Sequence, residues 1–254
     1  MGHVHILRDF TSRAESGTRT VRIYTPDGYD ARGDHRYPVL YMHDGQNVFS
    51  HRESAMIDTW CANVTLEKLV STGAVEPWLV VAVDSGPGRI SDCSPWAHRG
   101  RPGHAERYAR FLVDELKPWV DATYATRTES RWTGVMGSSL GGLMSLYLGL
   151  SRPGTFGRVG ALSPTVMWAD DALYRAWTAH TRHWTRIYLD AGLGEHIHVE
   201  QPLAYGEGAR AFHAHLKSLG YHPHELFLVL EPGGQHHERD WQRRLPLAFR
   251  WLLG

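Results

Sequence analysis

Arg131-Trp132-Thr133-Gly134-Val135-Met136-Gly137-Ser138-Ser139-Leu140-Gly141-Gly142-Leu143-Met144-Ser145-Leu146-Tyr147-Leu148 is the stretch on which the reading of the chain turns. Its first six residues have the β-branched and aromatic character of a short strand, and the last seven read as a helix. Between them Gly137-Ser138-Ser139-Leu140-Gly141 spells G-x-S-x-G. In a strand-turn-helix setting the central serine is forced into a strained turn, and small residues two before and two after it let strand and helix approach closely. The Ser139 hydroxyl is then presented at the edge of a sheet, above a helix N-terminus whose dipole favours negative charge. Ser138 falls at the variable position of the motif, and the blander reading of Ser139 is a helix N-cap.

Outward from this stretch, apolar runs bounded by Gly, Pro and Asp predict strands at about 4–10, 19–25, 38–43, 77–84, 131–137, 158–163, 185–190 and 224–231. Helix-like stretches lie near 58–72, 105–122, 139–151, 170–180, 202–219 and 238–253. Strand and helix therefore alternate, which implies a parallel sheet covered by helices on both faces. The short polar join at Ser16-Gly17 predicts an antiparallel start. With G-x-S-x-G after the fifth strand, the expected architecture is an α/β-hydrolase fold, with one domain over residues 1–254 and an eight-stranded, mostly parallel sheet. The Pro- and Gly-containing segment from Gly86 to Gly103 reads as a long loop rather than a boundary.

A serine nucleophile needs a neutral imidazole to take its proton, and in this fold the chain order is Ser, acid, His. The last strand runs into Glu231-Pro232-Gly233-Gly234-Gln235-His236-His237, so position selects His236 as base, with His237 as the alternative. The seventh strand opens into Asp190-Ala191-Gly192-Leu193-Gly194-Glu195, where Glu195 is far enough past the strand to reach over the sheet and Asp190 is the runner-up acid. Two backbone N–H groups should receive the oxyanion: that of Leu140 after the nucleophile, and that of Gln46 in the turn Asp44-Gly45-Gln46-Asn47 after the third strand.

Composition narrows the field. Hydrophobic residues at 42% and charged residues at 21% fit a folded globular chain, and 27 Lys plus Arg against 27 Asp plus Glu give no basic field for a nucleic acid. No run approaches transmembrane length, and the first residues lack a secretory signal, which points to no membrane partner and a cytoplasmic location. Two cysteines, Cys61 and Cys93, cannot build a multi-cysteine zinc site and are expected to be unpaired small core residues. Glu195-His196-Ile197-His198 and His236-His237-Glu238 support a rival metal-dependent hydrolase, which would require the serine turn to be coincidence. Other readings are a catalytically silent binding protein, and an acyltransferase working through the same acyl-enzyme.

The residues also resemble the esterase-D-like group of α/β-hydrolases, which includes enterochelin esterases and the feruloyl and acetylxylan esterases. The carriers are Arg19-Thr20-Val21-Arg22-Ile23-Tyr24-Thr25-Pro26, Tyr37-Pro38-Val39-Leu40-Tyr41-Met42-His43-Asp44-Gly45-Gln46-Asn47, Ser94-Pro95-Trp96, the turn around Ser139, Ser163-Pro164 and Gly233-Gly234-Gln235-His236. The resemblance implies ester hydrolysis of a small-molecule substrate without a cofactor or metal, with Ser139 and His236 on the family's nucleophile and base. Glu195 falls where an Asp or Glu follows a Gly-Thr pair, but Leu193 stands in place of that Thr. Some members work with a Ser-His pair and little help from an acid. By the same resemblance Arg89 and Trp96 line the approach to the nucleophile, Arg89 to hold a polar or anionic group and Trp96 as an aromatic wall; the plainer reading is a surface Arg and a packed Trp in a long loop.

Overall fold

The computed structural model describes residues 2–54, 58–195 and 205–254. Eight strands form one sheet: β1 (His3–Ser12), β2 (Gly17–Thr25), β3 (Val39–His43), β4 (Leu79–Val83), β5 (Thr133–Ser138), β6 (Arg158–Leu162), β7 (Arg186–Gly192) and β8 (Leu226–Glu231). Their spatial order is β1-β2-β4-β3-β5-β6-β7-β8. The β1/β2 and β2/β4 pairs are antiparallel and all the others parallel, so the expected antiparallel opening is present. This is the α/β-hydrolase fold.

Side chains alternate across the sheet with the period of two that strands impose. Tyr41, Val81, Val135, Val159 and Leu189 bury one face against α3 (Ala105–Arg110), α5 (Leu140–Ser151) and α7 (Tyr205–Ser218) through Tyr108, Leu143 and Phe212. Leu40, Met42, Val80, Met136 and Tyr188 bury the other against α1 (Ala62–Ser71) and α8 (Glu238–Leu253) through Leu66, Leu245 and Phe249. The single helix expected at 105–122 is instead α3, a π-helical turn over Phe111–Leu116 and α4 (Lys117–Thr123) in succession. Pro118 has no N–H to return to residue 114, and widening the preceding turn absorbs that missing bond.

The long loop from Gly86 to Gly103 contains the short α2 (Arg89–Asp92). The helix expected at 170–180 is the shorter α6 (Trp168–Ala176), interrupted by left-handed residues at Ala169, Asp170 and Asp171. Among the described residues no helix is long and apolar enough to cross a membrane. Cys61 and Cys93 are both free; Cys93 lies in the core, where burial pushes its thiol up to about 12, whereas Cys61 is half-buried.

This topology positions the site. Strand order reverses about β3, with β4 on one side and β5 on the other, and open α/β sheets bind ligands at the carboxyl ends of strands flanking such a reversal. The turns after β3, β5, β6, β7 and β8 therefore converge on one rim.

Candidate active site

Ser139 follows β5 with φ 56° and ψ −122°, a conformation that costs an L-residue energy and is held only by its surroundings. Its N–H donates to Leu162 O at 3.0 Å, and its own carbonyl accepts from Thr165 N at 3.1 Å and Leu143 N at 3.0 Å. Gly137 is required because a Cβ there would lie 2.7 Å from the Gly141 backbone and 2.8 Å from the His43 ring. Among the described residues the hydrogen-bond partner of Ser139 Oγ is Thr165 Oγ1 at 3.5 Å, and His236 makes its hydrogen bond to Glu195. Such contacts are commonly long without substrate and tighten in the complex.

Beyond β7 and β8 lies a tightly bonded network. His236 Nδ1 is 2.8 Å from Glu195 Oε2. Glu195 is fully buried, and its other oxygen accepts from Ser163 Oγ at 2.7 Å, Gly192 N at 2.7 Å and Arg244 Nη2 at 3.3 Å. Glycine is required at 192, since a Cβ there would stand 2.2 Å from Gly234 O and 2.8 Å from Glu195 Oε1. Ser163 Oγ in turn accepts from Trp241 Nε1 and Arg244 Nη2, both at 2.9 Å, so its own proton is directed to Glu195. Burial pushes the Glu195 carboxyl up, but the hydrogen bonds from His236, Ser163 and Gly192 outweigh it and hold it below the usual carboxylate range. An ionised carboxylate can only accept, so the proton of a neutral His236 sits on Nδ1 and the lone pair on Nε2.

Asp190, the runner-up acid, points elsewhere. Its carboxylate is 3.2 Å from Tyr188 Oη, 3.3 Å from Ser163 N and 3.1 Å from Arg244 Nε. Burial raises it to about 6, against the pull of Arg244. Burial also works against the charge on Arg244, but Asp190, Glu231 and Glu195 outweigh that and keep it a cation. Of the two histidines, His237 caps α8 by accepting from Arg239 N at 3.2 Å.

Gln46 lies in the helical turn Gly45–Asn47, whose first internal bond is Asn47 N to Asp44 O, so the N–H of Gln46 precedes the bonded part of the turn. Leu140 is likewise the first residue of α5. The Gln46 side chain clips to Ser85, donating to its Oγ at 2.8 Å and accepting from its N at 3.0 Å. Arg89 forms a two-point ion pair with Asp44, 2.5 and 2.7 Å, and Asp44 is the left-handed residue (φ 57°) that starts the Gln46 turn. Trp96 packs edge-on against Tyr147 at 6.0 Å and its carbonyl accepts from Trp168 Nε1.

Among the described residues no group of three or more His, Cys, Asp or Glu is placed to hold a metal ion; His196 and His198 lie outside the described residues. Sequence reasoning left Thr165, Tyr205, Trp241 and Arg244 unassigned, and gave Ser163 no role although Ser163-Pro164 was among the residues of resemblance. A Ser-Pro pair at a strand end was the one usable signal.

A serine on a strained strand-to-helix turn, with a buried carboxylate-imidazole pair on the same rim, is the arrangement of α/β-hydrolases. The Esterase family model ("Putative esterase") matches residues 12–252, and the chain belongs to that family of carboxylic ester hydrolases. It is 24% identical over 259 residues to "Uncharacterized protein YbbA" of Bacillus subtilis, spanning 98% of each chain. It is 29% identical over 163 residues, 61% of this chain and 20% of the other, to the endo-1,4-beta-xylanase/feruloyl esterase of Xylanibacter ruminicola. The fold is that of the enterobactin esterase FES from Shigella flexneri, with a TM-score of 0.77, 21% identity, and coverage of 98% of this chain and 58% of that one.

Proposed function

We propose that the protein hydrolyses small-molecule carboxylic esters through an acyl-enzyme on Ser139. His236 Nε2 takes the hydroxyl proton as Ser139 attacks the ester carbonyl, Glu195 holds the imidazole in the required tautomer and stabilises its charged form, and the imidazolium then protonates the leaving alkoxide. The N–H groups of Gln46 and Leu140 receive the developing oxyanion, an interaction worth about 2.7–4 kcal/mol per donor in the transition state. Water activated by the same imidazole releases the acid. The observation that carries this reading is the 2.8 Å contact between His236 and the buried Glu195, on the rim where Ser139 adopts its strained turn. The feruloyl and enterobactin esterases among the similar proteins support an ester substrate and leave the acyl group open.

A serine-directed phosphonate tests the proposal. It should add one adduct mass to the protein, on Ser139, and abolish turnover of p-nitrophenyl acetate. Ser139→Ala should lower turnover by about 10⁴–10⁶ with the fold retained, His236→Ala nearly as much, and His237→Ala only slightly. Retention of most activity in Ser139→Ala, or loss to a chelator without phosphonate sensitivity, would overturn it.

A further inference from the structure

The hydrogen bond from Nδ1 to Glu195 fixes one point of the His236 ring but leaves rotation about that contact. A face-to-face neighbour removes this freedom, and Tyr205 supplies one. At the start of α7 its ring stacks on the imidazole with centroids 4.2 Å apart and planes 26° from parallel. Trp241 meets the same imidazole at 4.9 Å and 84°, and is itself anchored by its bond to Ser163 and by Trp60 at 5.9 Å. We propose that Tyr205 is a positioning residue for His236: its ring face sets the plane in which the Nε2 lone pair lies and stabilises the imidazolium formed during turnover. This rests on His236 being the base.

The electrostatic half of the argument follows from the negative face of an aromatic ring, which attracts a cation stacked on it. The other charged groups around the imidazole are already committed. From the β7–α7 loop Glu195 bonds Nδ1; from α8 Arg244 faces Glu195, Asp190 and Glu231; Asp240 accepts from Gln235 N and Glu238 from Asn47 Nδ2. Replacing Tyr205 leaves these in place, so a change in the protonation behaviour of His236 reports the stacked ring.

The test compares Tyr205→Leu with Tyr205→Phe in the full chain, measuring kcat and KM for p-nitrophenyl acetate between pH 5 and 9. The His236 imidazole is titrated in parallel by NMR, its resonance assigned by its absence in His236→Gln. Tyr205→Leu should lower kcat about tenfold with KM within about twofold, and move the acidic limb of the rate profile and the NMR midpoint to lower pH by about half a unit. Tyr205→Phe, which keeps the ring face, should restore most of both. An unmoved midpoint in Tyr205→Leu, or a Phe variant as impaired as Leu, overturns the proposal. A midpoint that moves while the rate profile stays fixed supports the stacking and instead refutes His236 as the base.

Discussion

Glu195→Gln tests the buried network at its centre. The amide has one oxygen and one NH2 to place where the carboxylate had two acceptors. Turning its oxygen to His236 would aim the NH2 at three donors, those of Ser163, Gly192 and Arg244. Each buried donor left without an acceptor costs about 1–3 kcal/mol, so this orientation loses to the other by several kcal/mol. The NH2 therefore faces His236, Nδ1 must accept, and the ring proton moves to Nε2, where it blocks proton removal from Ser139. The corresponding Asp-to-Asn change in a serine protease costs about 10⁴ in kcat, and an expected loss of 10²–10⁴ in kcat/KM follows here. Because Gln keeps the shape and the three accepted bonds, thermal unfolding should move by only a few degrees, equivalent to about 1–2 kcal/mol. Ester turnover with a circular-dichroism melt on the same samples measures both. A folded variant with activity within about threefold of the parent would refute the coupling, and a larger loss in Asp190→Asn than in Glu195→Gln would transfer the role of acid to Asp190.

Asp190 also leaves a signature in stability. With its pKa raised from 3.8 to about 6, the folded chain keeps a proton between those values that the unfolded chain has released. The stabilisation is complete below about pH 4 and is lost as pH rises through 6, by on the order of 3 kcal/mol, and calorimetry of Asp190→Asn should show that slope removed. Arg89→Lys separates two roles for that residue: if the arginine clasps Asp44 and so fixes the Gln46 turn, kcat should fall about tenfold with KM little changed, because a lysine cannot make the two-point contact. A KM that rises for acidic acyl esters while kcat holds would restore the direct substrate contact.

The serine turn was legible because everything that defines it is local: two glycines, a preceding strand and a following helix. The choice between Glu195 and Asp190 was not, because it depends on where β7 ends. The strand continues to Gly192, two residues past its predicted end, so Asp190 is an interior strand residue rather than its last, on the same face as Tyr188 and turned towards Arg244 of α8. Glu195, three residues beyond, is released to reach the imidazole. The pairing of Arg89 with Asp44 is not legible either, because the partner lies 45 residues earlier, on a turn whose handedness no pattern announces. The stacking of Tyr205 on His236 joins the start of α7 to the loop after β8, which sequence order keeps apart.

Three neighbouring strands end alike, and this ties the backbone to the chemistry. After β3, β5 and β6, adjacent in the sheet, Asp44, Ser139 and Ser163 have φ of 57°, 56° and 43°. Each such residue costs an L-amino acid about 1–2 kcal/mol, so together they consume about 3–6 kcal/mol from a net stability that is typically only 5–15. Glycine would remove that cost at every position. What glycine cannot provide is a carboxylate for Arg89, a hydroxyl on the turn before α5, or an oxygen that accepts from Trp241 and Arg244 while donating to Glu195. On the proposed mechanism the strain is retained where the side chain is needed, and Ser163 joins Ser139 in serving the site rather than the core. On that proposal the same three residues bear on both the stability and the chemistry of the rim.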